Sequence, residues 1–150
     1  MLHAPVFVCI GFMIAILYID LQFDMLSLPH RRAGGPMPAG VLRQIATYYG
    51  VITKNPYLLM FVMVTTLTCI VVEILYDLVP RWVGYSSLIL IGLAMGVGII
   101  RVIPMAQRLA TDKDAADERT RMAHGMFPSH IFLLIVILLL ALLQSIGMPR

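Results

Sequence analysis

Four apolar stretches of about 20 residues each restrict what this chain can fold into, and they cover residues 4–23, 57–76, 85–103 and 128–146. An apolar helix of about 20 residues is long enough to cross a hydrocarbon core about 30 Å thick. Together the stretches use more than half of the 150 residues, which leaves no room for a separate soluble domain. The sequence therefore predicts an all-α, single-domain, polytopic membrane protein, with four transmembrane helices in an up-down bundle.

Composition agrees with a chain whose main partner is the lipid bilayer. It is 60% hydrophobic and 13% charged, with a mean hydropathy of +0.91, well outside the balance of a soluble domain. The net charge of +3 does not indicate nucleic-acid binding, because the basic residues lie between the apolar stretches. The first stretch has no basic residue before it and no small-x-small cleavage site after it, so we expect it to remain in the mature protein.

Lysine and arginine are distributed unevenly between the two sets of loops. The first and third loops carry eight, Arg31, Arg32, Arg43, Lys54, Arg108, Lys113, Arg119 and Arg121, whereas the other side carries only Arg81 and Arg150. Positive loops stay on the cytoplasmic side of a membrane. This predicts both termini outside and both long loops in the cytoplasm, or the equivalent compartment of an organelle, with a plasma or inner membrane as the site.

The first long loop contains a second kind of helix. The stretch LSLPHRRAGGPMPAG is rich in proline and glycine and predicts an irregular loop. The stretch VLRQIATYYGVITKN then predicts an amphipathic helix with an apolar stripe through Val41, Ile45, Tyr48 and Ile52. Such a helix either lies on the inner membrane interface or extends the second span with a bend at Pro56.

The third long segment breaks the apolar pattern at GVGIIRVIPMAQR. Its glycines, Gly92 with Gly96 and Ala94 with Gly98, have the small-xxx-small spacing that allows close helix approach. This predicts a central packing helix and a surface for a homo-oligomer or a complex partner. Beyond Pro104 we expect the chain to leave the membrane as a helix, followed by a second short helix from Thr111 or Asp112 to Gly125.

Four polar residues are predicted at the inner membrane boundary: Asp20 and Asp24 at the end of the first span, Arg101 in the third, and His130 at the start of the fourth. An arginine near the boundary can pair with carboxylates, which fixes two helices, or can hold a substrate anion or a lipid headgroup. Two carboxylates with an imidazole also suit proton transfer. Since no HxxxH or ExxH pair occurs, no metal site is predicted, and no cofactor can be named.

A second, weaker candidate lies near the predicted outer boundary. Glu73 shares a helical stripe with Thr66, Cys69 and Tyr76, which suggests a polar pocket that opens outward. The alternative is an interfacial carboxylate that pairs with Arg81 or is hydrated. The two cysteines, Cys9 and Cys69, are expected to be free thiols inside the spans.

Several short motifs resemble those of the anthrone-oxygenase-like family of small four-helix membrane proteins. These are KNPYLLMFV at the second span, RVIPMAQRL at the end of the third, and RMAHGMFPSH before the fourth. The layout is also similar, more distantly, to that of membrane protoporphyrinogen-oxidase-like proteins. The first resemblance implies oxygen-dependent oxidation of a polycyclic aromatic or similar hydrophobic substrate, with Asn55, Arg101, Pro104 and His130 at the family's positions.

Two functions remain open at this point. The first is accommodation of a hydrophobic ligand or substrate between the helices, with an oxidase-like or oxygenase-like activity as one form of it. The alternative is a non-catalytic subunit or assembly factor of a larger membrane complex. A transporter ranks last, because no charged residue lies near the predicted bilayer midplane and no inverted repeat is visible.

Overall fold

The computed structural model describes residues 3–31, 35–54, 56–111 and 113–147. Its helices are α1 (His3–Asp24), a 3₁₀ helix (Met25–His30), α2 (Ala39–Ile52), α3 (Tyr57–Leu75), α4 (Arg81–Val97), a π-helical segment (Gly98–Val102), α5 (Ile103–Leu109) and α6 (Ala116–Gly147). Helices make up 87% of the described residues, and no strand occurs among them. The predicted all-α class is confirmed.

Four helical stretches are long and apolar enough to cross a membrane: Ala4–His30, Tyr57–Leu75, Arg81–Leu109 and Ala116–Gly147. All four predicted spans are therefore confirmed as helices, which indicates a multi-pass membrane protein. Three of them are longer than expected, because helix continues past the end of the apolar residues. Most of the extra turns lie at the end of the bundle that carries α2, which we call the α2 end, and one turn, residues 81–84, lies at the opposite end.

The four long helices form a closed ring, in which α1 and α4 each pack against both α3 and α6. Gly147 lies beside Val83 of α4, whereas Gly125 lies beside Met105 of α5, so α6 runs antiparallel to α4 and α5. Each helix gives a fully buried side chain to the centre of the ring: Ile10, Ile70, Ile91 and Leu140. Since lipid is as apolar as these side chains, close packing rather than water exclusion holds such helices together.

A second apolar cluster joins α2 to α5 and to the first turns of α6. Its buried members include Leu42, Ile45, Leu109 and Met126. The predicted amphipathic helix is confirmed as α2, and it is separate from α3 rather than an extension of it. Its buried face is shifted by one residue, because the helix packs against protein: Leu42, Ile45, Ala46 and Tyr49 are buried, and Val41, Tyr48 and Ile52 are half-buried.

Two predicted helix boundaries are wrong. The expected loop after the first span begins as the 3₁₀ helix Met25–His30, and residues 32–34 lie outside the described ranges. The expected stop at Gly125 and new start at Pro128 do not occur, because α6 continues through both positions. Pro128 cannot donate to the carbonyl of His124, and in the same turn the Ser129 hydroxyl donates to the neighbouring carbonyl of Gly125, 2.8 Å away.

The start predicted for that short helix is also different in the structure. Thr111 lies in a turn, Asp112 is outside the described residues, and α6 begins at Ala116. The prediction that helix continues past Pro104 is confirmed. Pro104 is near the start of α5, directly after the π-helical segment Gly98–Val102, so the stretch from Arg81 to Leu109 has no break.

The glycines that allow close packing are not the ones predicted. A Cβ atom added at Gly84 would lie 2.6 Å from Cγ1 of Ile74, and one added at Gly147 would lie 2.9 Å from Cγ1 of Val83. A Cβ atom at Gly92 or Gly96 would meet no atom of the described chain within 4 Å. The predicted central packing role of the Gly92 and Gly96 face is therefore wrong within the single chain.

Candidate functional site

A buried hydrogen-bond network lies at the α2 end of the ring, with Asp24 at its centre. Oδ2 of Asp24 is 2.6 Å from Nδ1 of His130, and Oδ1 accepts a hydrogen bond of 2.6 Å from the Tyr49 hydroxyl. One turn earlier, Oδ1 of Asp20 accepts a hydrogen bond of 2.6 Å from the Tyr48 hydroxyl. We call Asp20, Asp24, Tyr48, Tyr49 and His130 the polar network.

Local helix geometry explains how three segments supply these groups. Asp20 and Asp24 are one turn apart, so both carboxylates lie on the same face of α1. Tyr48 and Tyr49 are consecutive on α2, and their side chains therefore diverge by about 100° and reach different carboxylates. The Tyr48 ring stacks on Phe23 with centroids 3.7 Å apart, which fixes its direction.

His130 has two different nitrogen environments. Nδ1 contacts Asp24, whereas Nε2 lies 3.8 Å from Oδ2 of Asp20, which is too long for a hydrogen bond. A carboxylate at Nδ1 favours a proton on that nitrogen, and in the neutral tautomer with its proton there Nε2 keeps a lone pair. Across the described ranges Nε2 makes no hydrogen bond, so this side of the imidazole is available to a bound molecule.

Beside the network lies an apolar cavity with two adjoining lobes, of about 210 and 90 Å³. Asp20 and His130 line both lobes, and the shared apolar lining comes from Ile16, Leu59, Met63, Ile99, Val102 and Ile103. Tyr49 lines the larger lobe. Asp24 lines neither lobe, so it contacts the side of His130 away from the cavity.

The larger lobe reaches the side of the bundle between α3 and the π-helical segment. Three of its lining side chains, Met60, Val64 and Ile99, are each more than half exposed. These exposed side chains are apolar, and the helices that carry them are long enough to span a membrane. In a bilayer this opening would face hydrocarbon rather than water, so an apolar molecule could enter sideways.

The tyrosines of α2 are held as neutral donors. Burial raises the pKa of Tyr49 well above the usual value of 10.0, and the nearby Asp24 carboxylate raises it further. Burial likewise raises the pKa of Tyr48, and its hydrogen bond to Asp20 adds to the effect. Both hydroxyls therefore keep their protons at physiological pH and orient the carboxylates.

Arg101 is not part of this network. It lies in the π-helical segment, its side chain is exposed, and it lines an open groove between that segment and α6. Across the described ranges it forms no hydrogen bond or ion pair, so the predicted pairing with Asp20 and Asp24 is not present. The structure brings Asp20, Asp24 and His130 together and leaves Arg101 on another face.

Glu73 lies far from the polar network, toward the other end of α3. Its side chain is fully buried with those of Thr66 and Ile70, so it is not the hydrated interfacial carboxylate that one interpretation required. Arg81 pairs with Asp77 instead, at 3.2 Å. Cys9 and Cys69 are free thiols, as predicted.

The sequence prediction missed Tyr48 and Tyr49. Their signal was present, since two adjacent phenols occur in an amphipathic helix that follows a helix with two carboxylates. A buried carboxylate requires donors, and tyrosine supplies one at the end of an apolar ring. Within the described part of the chain, no group of three His, Cys, Asp or Glu residues has the arrangement of a metal site.

Comparisons with known proteins found no matching family model, no matching curated protein and no matching solved structure. The resemblance to the anthrone-oxygenase-like family therefore stays a prediction. Of the positions it implies, Asn55 lies outside the described residues, and Arg101 and His130 face different spaces.

Proposed function

We propose that this protein binds a small hydrophobic molecule that carries a hydroxyl group, taken up from the bilayer into the cavity beside the polar network. The observation that carries this proposal is the position of Asp20 and His130, whose side chains line both lobes of a mainly apolar cavity. Tyr49, Thr53 and Gln107 add polar groups to the larger lobe alone. An apolar space with a few convergent polar groups is the usual form of a small-molecule site.

The size of the cavity limits the ligand. A dry cavity of about 150 Å³ holds benzene, and the larger lobe here measures about 210 Å³. One aromatic ring with short apolar substituents therefore fits without rearrangement, while a polycyclic substrate would require the helices to separate. Met60, Met63 and Met95 line the larger lobe. Because methionine side chains are flexible, they would make enlargement of the cavity for a bigger ligand easier.

The polar end of the cavity determines which functional group binds. In the neutral form of His130 with its proton on Nδ1, Nε2 of His130 and Oδ2 of Asp20 are both acceptors. A hydroxyl donor matches them, whereas an ether or a ketone does not. Transfer of that hydroxyl proton to Nε2 is the chemical step for which the network supplies a group, and Asp24 would stabilise the imidazolium that forms.

A binding comparison between 4-propylphenol and its methyl ether, 4-propylanisole, tests this proposal. The full chain in lipid nanodiscs should bind the phenol at least about tenfold more tightly, because the ether leaves buried acceptors without a donor. Met63→Trp, which fills both lobes, should abolish binding, while Asp77→Asn at the far end should not change it. Equal affinity for the two probes, or unchanged binding by Met63→Trp, would contradict the proposal.

We also propose an orientation, in which the α2 end lies in the cytoplasm and both termini lie outside, in a plasma or inner membrane. The excess of lysine and arginine in the two long loops supports it. A C-terminal alkaline phosphatase fusion expressed in a bacterium should be active, and a C-terminal green fluorescent protein fusion should be dark. The reverse pattern would overturn the orientation.

A further inference from the structure

We infer that the open groove between the π-helical segment and α6 is a binding site for one anionic phospholipid. An acyl chain would lie along the groove, and the phosphate would contact Arg101. This site is separate from the polar network and shares no lining residue with the larger lobe of the proposed ligand cavity.

The groove has the shape and chemistry of a lipid-chain site. It encloses about 690 Å³ and is lined mainly by apolar residues of two helical stretches, among them Gly92, Gly96, Ile100, Pro128 and Phe132. No described atom lies within 4 Å of a Cβ atom placed on Gly92 or Gly96, so the glycines leave a slot along α4. Ile100 is 80% exposed and forms one edge of the groove.

One end of the groove carries a positive charge. Arg101 lines it and forms no ion pair with any residue in the described ranges. Arg108, two turns further along the same helical stretch, pairs with both Asp114 and Glu118. A guanidinium on a membrane helix is costly unless it reaches an anion or the interface, and its planar donors match two phosphate oxygens.

Charge complementarity favours a lipid over a helix from a second copy of this chain. A packed helix would bury Arg101 and would have to supply a carboxylate at the same depth. The carboxylates at the α2 end of this chain's α1, Asp20 and Asp24, already accept from Tyr48 and Tyr49 and contact His130. A phospholipid supplies both the apolar chain and the anion.

Native mass spectrometry of the detergent-purified full chain tests this inference. The protein is titrated with dioleoyl phosphatidylglycerol and, separately, with dioleoyl phosphatidylcholine. We expect one tight site for the anionic lipid, with affinity lowered about fivefold by Arg101→Gln, the effect of about one basic residue at an anionic headgroup. Arg101→Lys should keep most of the preference, since lysine still provides the charge.

Two further variants separate the site from general charge and from assembly. Arg43→Gln removes an exposed arginine of α2 and should leave the tight site unchanged. Gly96→Leu fills the slot, has room for its Cβ in the chain, and should weaken binding of both lipids. Wild-type phosphatidylglycerol affinity in Arg101→Gln, or a dimer that Gly96→Leu dissociates without change in lipid affinity, would overturn the inference.

Discussion

Nδ1 of His130 lies 2.6 Å from Oδ2 of Asp24, although 106 residues separate the two side chains in sequence. Both side chains are only 2% exposed, so the contact is inside the bundle. Because α1 and α6 each pack along their length against other helices of the ring, this short contact is held by the whole bundle. The polar network therefore contributes to the stability of the fold and also supplies the polar end of the candidate site.

Replacement of Asp24 by alanine should destabilise the protein strongly. The change leaves the Tyr49 hydroxyl and Nδ1 of His130 buried without their partner, and each buried polar group left without a partner typically costs about 1–3 kcal/mol. Thermal unfolding in detergent, followed by the fluorescence of Trp82, measures this. Asp77→Asn is the matched control, since the pair of Asp77 with Arg81 is exposed and should contribute less than about 1 kcal/mol, and asparagine tolerates the positive φ of 48° at this position. Similar melting temperatures for the two variants would refute a central role for Asp24.

Alkaline pH should destabilise the protein through Tyr49. Its folded-state pKa is raised above the ordinary value of 10.0, so the folded protein retains a proton that the unfolded chain releases above that pH. Stability is therefore fully present below pH 10 and falls by about 1.4 kcal/mol per pH unit above it for this one group. Melting temperatures at pH 8, 10 and 11 should show the loss.

Tyr49→Phe provides the test of that assignment. The variant should be less stable than the parent at pH 8, by roughly 1.5–3 kcal/mol for a hydrogen bond to a charged group. It should lose less stability between pH 10 and 11, because the titrating hydroxyl is absent. An identical alkaline slope in parent and variant would rule Tyr49 out as the source.

Two glycines should respond in opposite ways to alanine. Gly84→Ala places a methyl group 2.6 Å from Cγ1 of Ile74 and should cost about 1–3 kcal/mol through strained packing between α3 and α4. Gly92→Ala meets no neighbour and should be neutral or stabilise the helix by up to about 1 kcal/mol. Thermal unfolding of both variants in the same detergent compares them, and a larger loss for Gly92→Ala would show that its face is packed after all.

The helices and three residues of the candidate site could be predicted from the sequence, because length, hydropathy and position along a span are read directly from it. Length and hydropathy identify membrane-crossing helices directly, and helix periodicity identified α2. Asp20, Asp24 and His130 were expected at one depth, because depth follows from the position of a residue along a span. What could not be predicted was rotation about the helix axis, which depends on packing between helices.

Arg101 shows this limit most clearly. The predicted pairing of Arg101 with the carboxylates of α1 assumed a regular α-helix through residue 103. The π-helical segment Gly98–Val102 widens the turn at this point, which changes the face that the following residues occupy. Tyr48 and Tyr49 were missed for a related reason, since α2 has two neighbouring apolar stripes and packing against α5 and α6 decides which of them is buried.

The length of α6 has a mechanical consequence. Its 32 residues extend for about 48 Å, which exceeds a hydrocarbon core of about 30 Å. Both α2 and the last turns of α1 pack against the part of α6 that extends beyond the hydrocarbon core. A change in bilayer thickness would therefore change the depth of α6 in the membrane but not the distances among Asp24, Tyr49 and His130. We expect the site to keep its shape in membranes of different thickness.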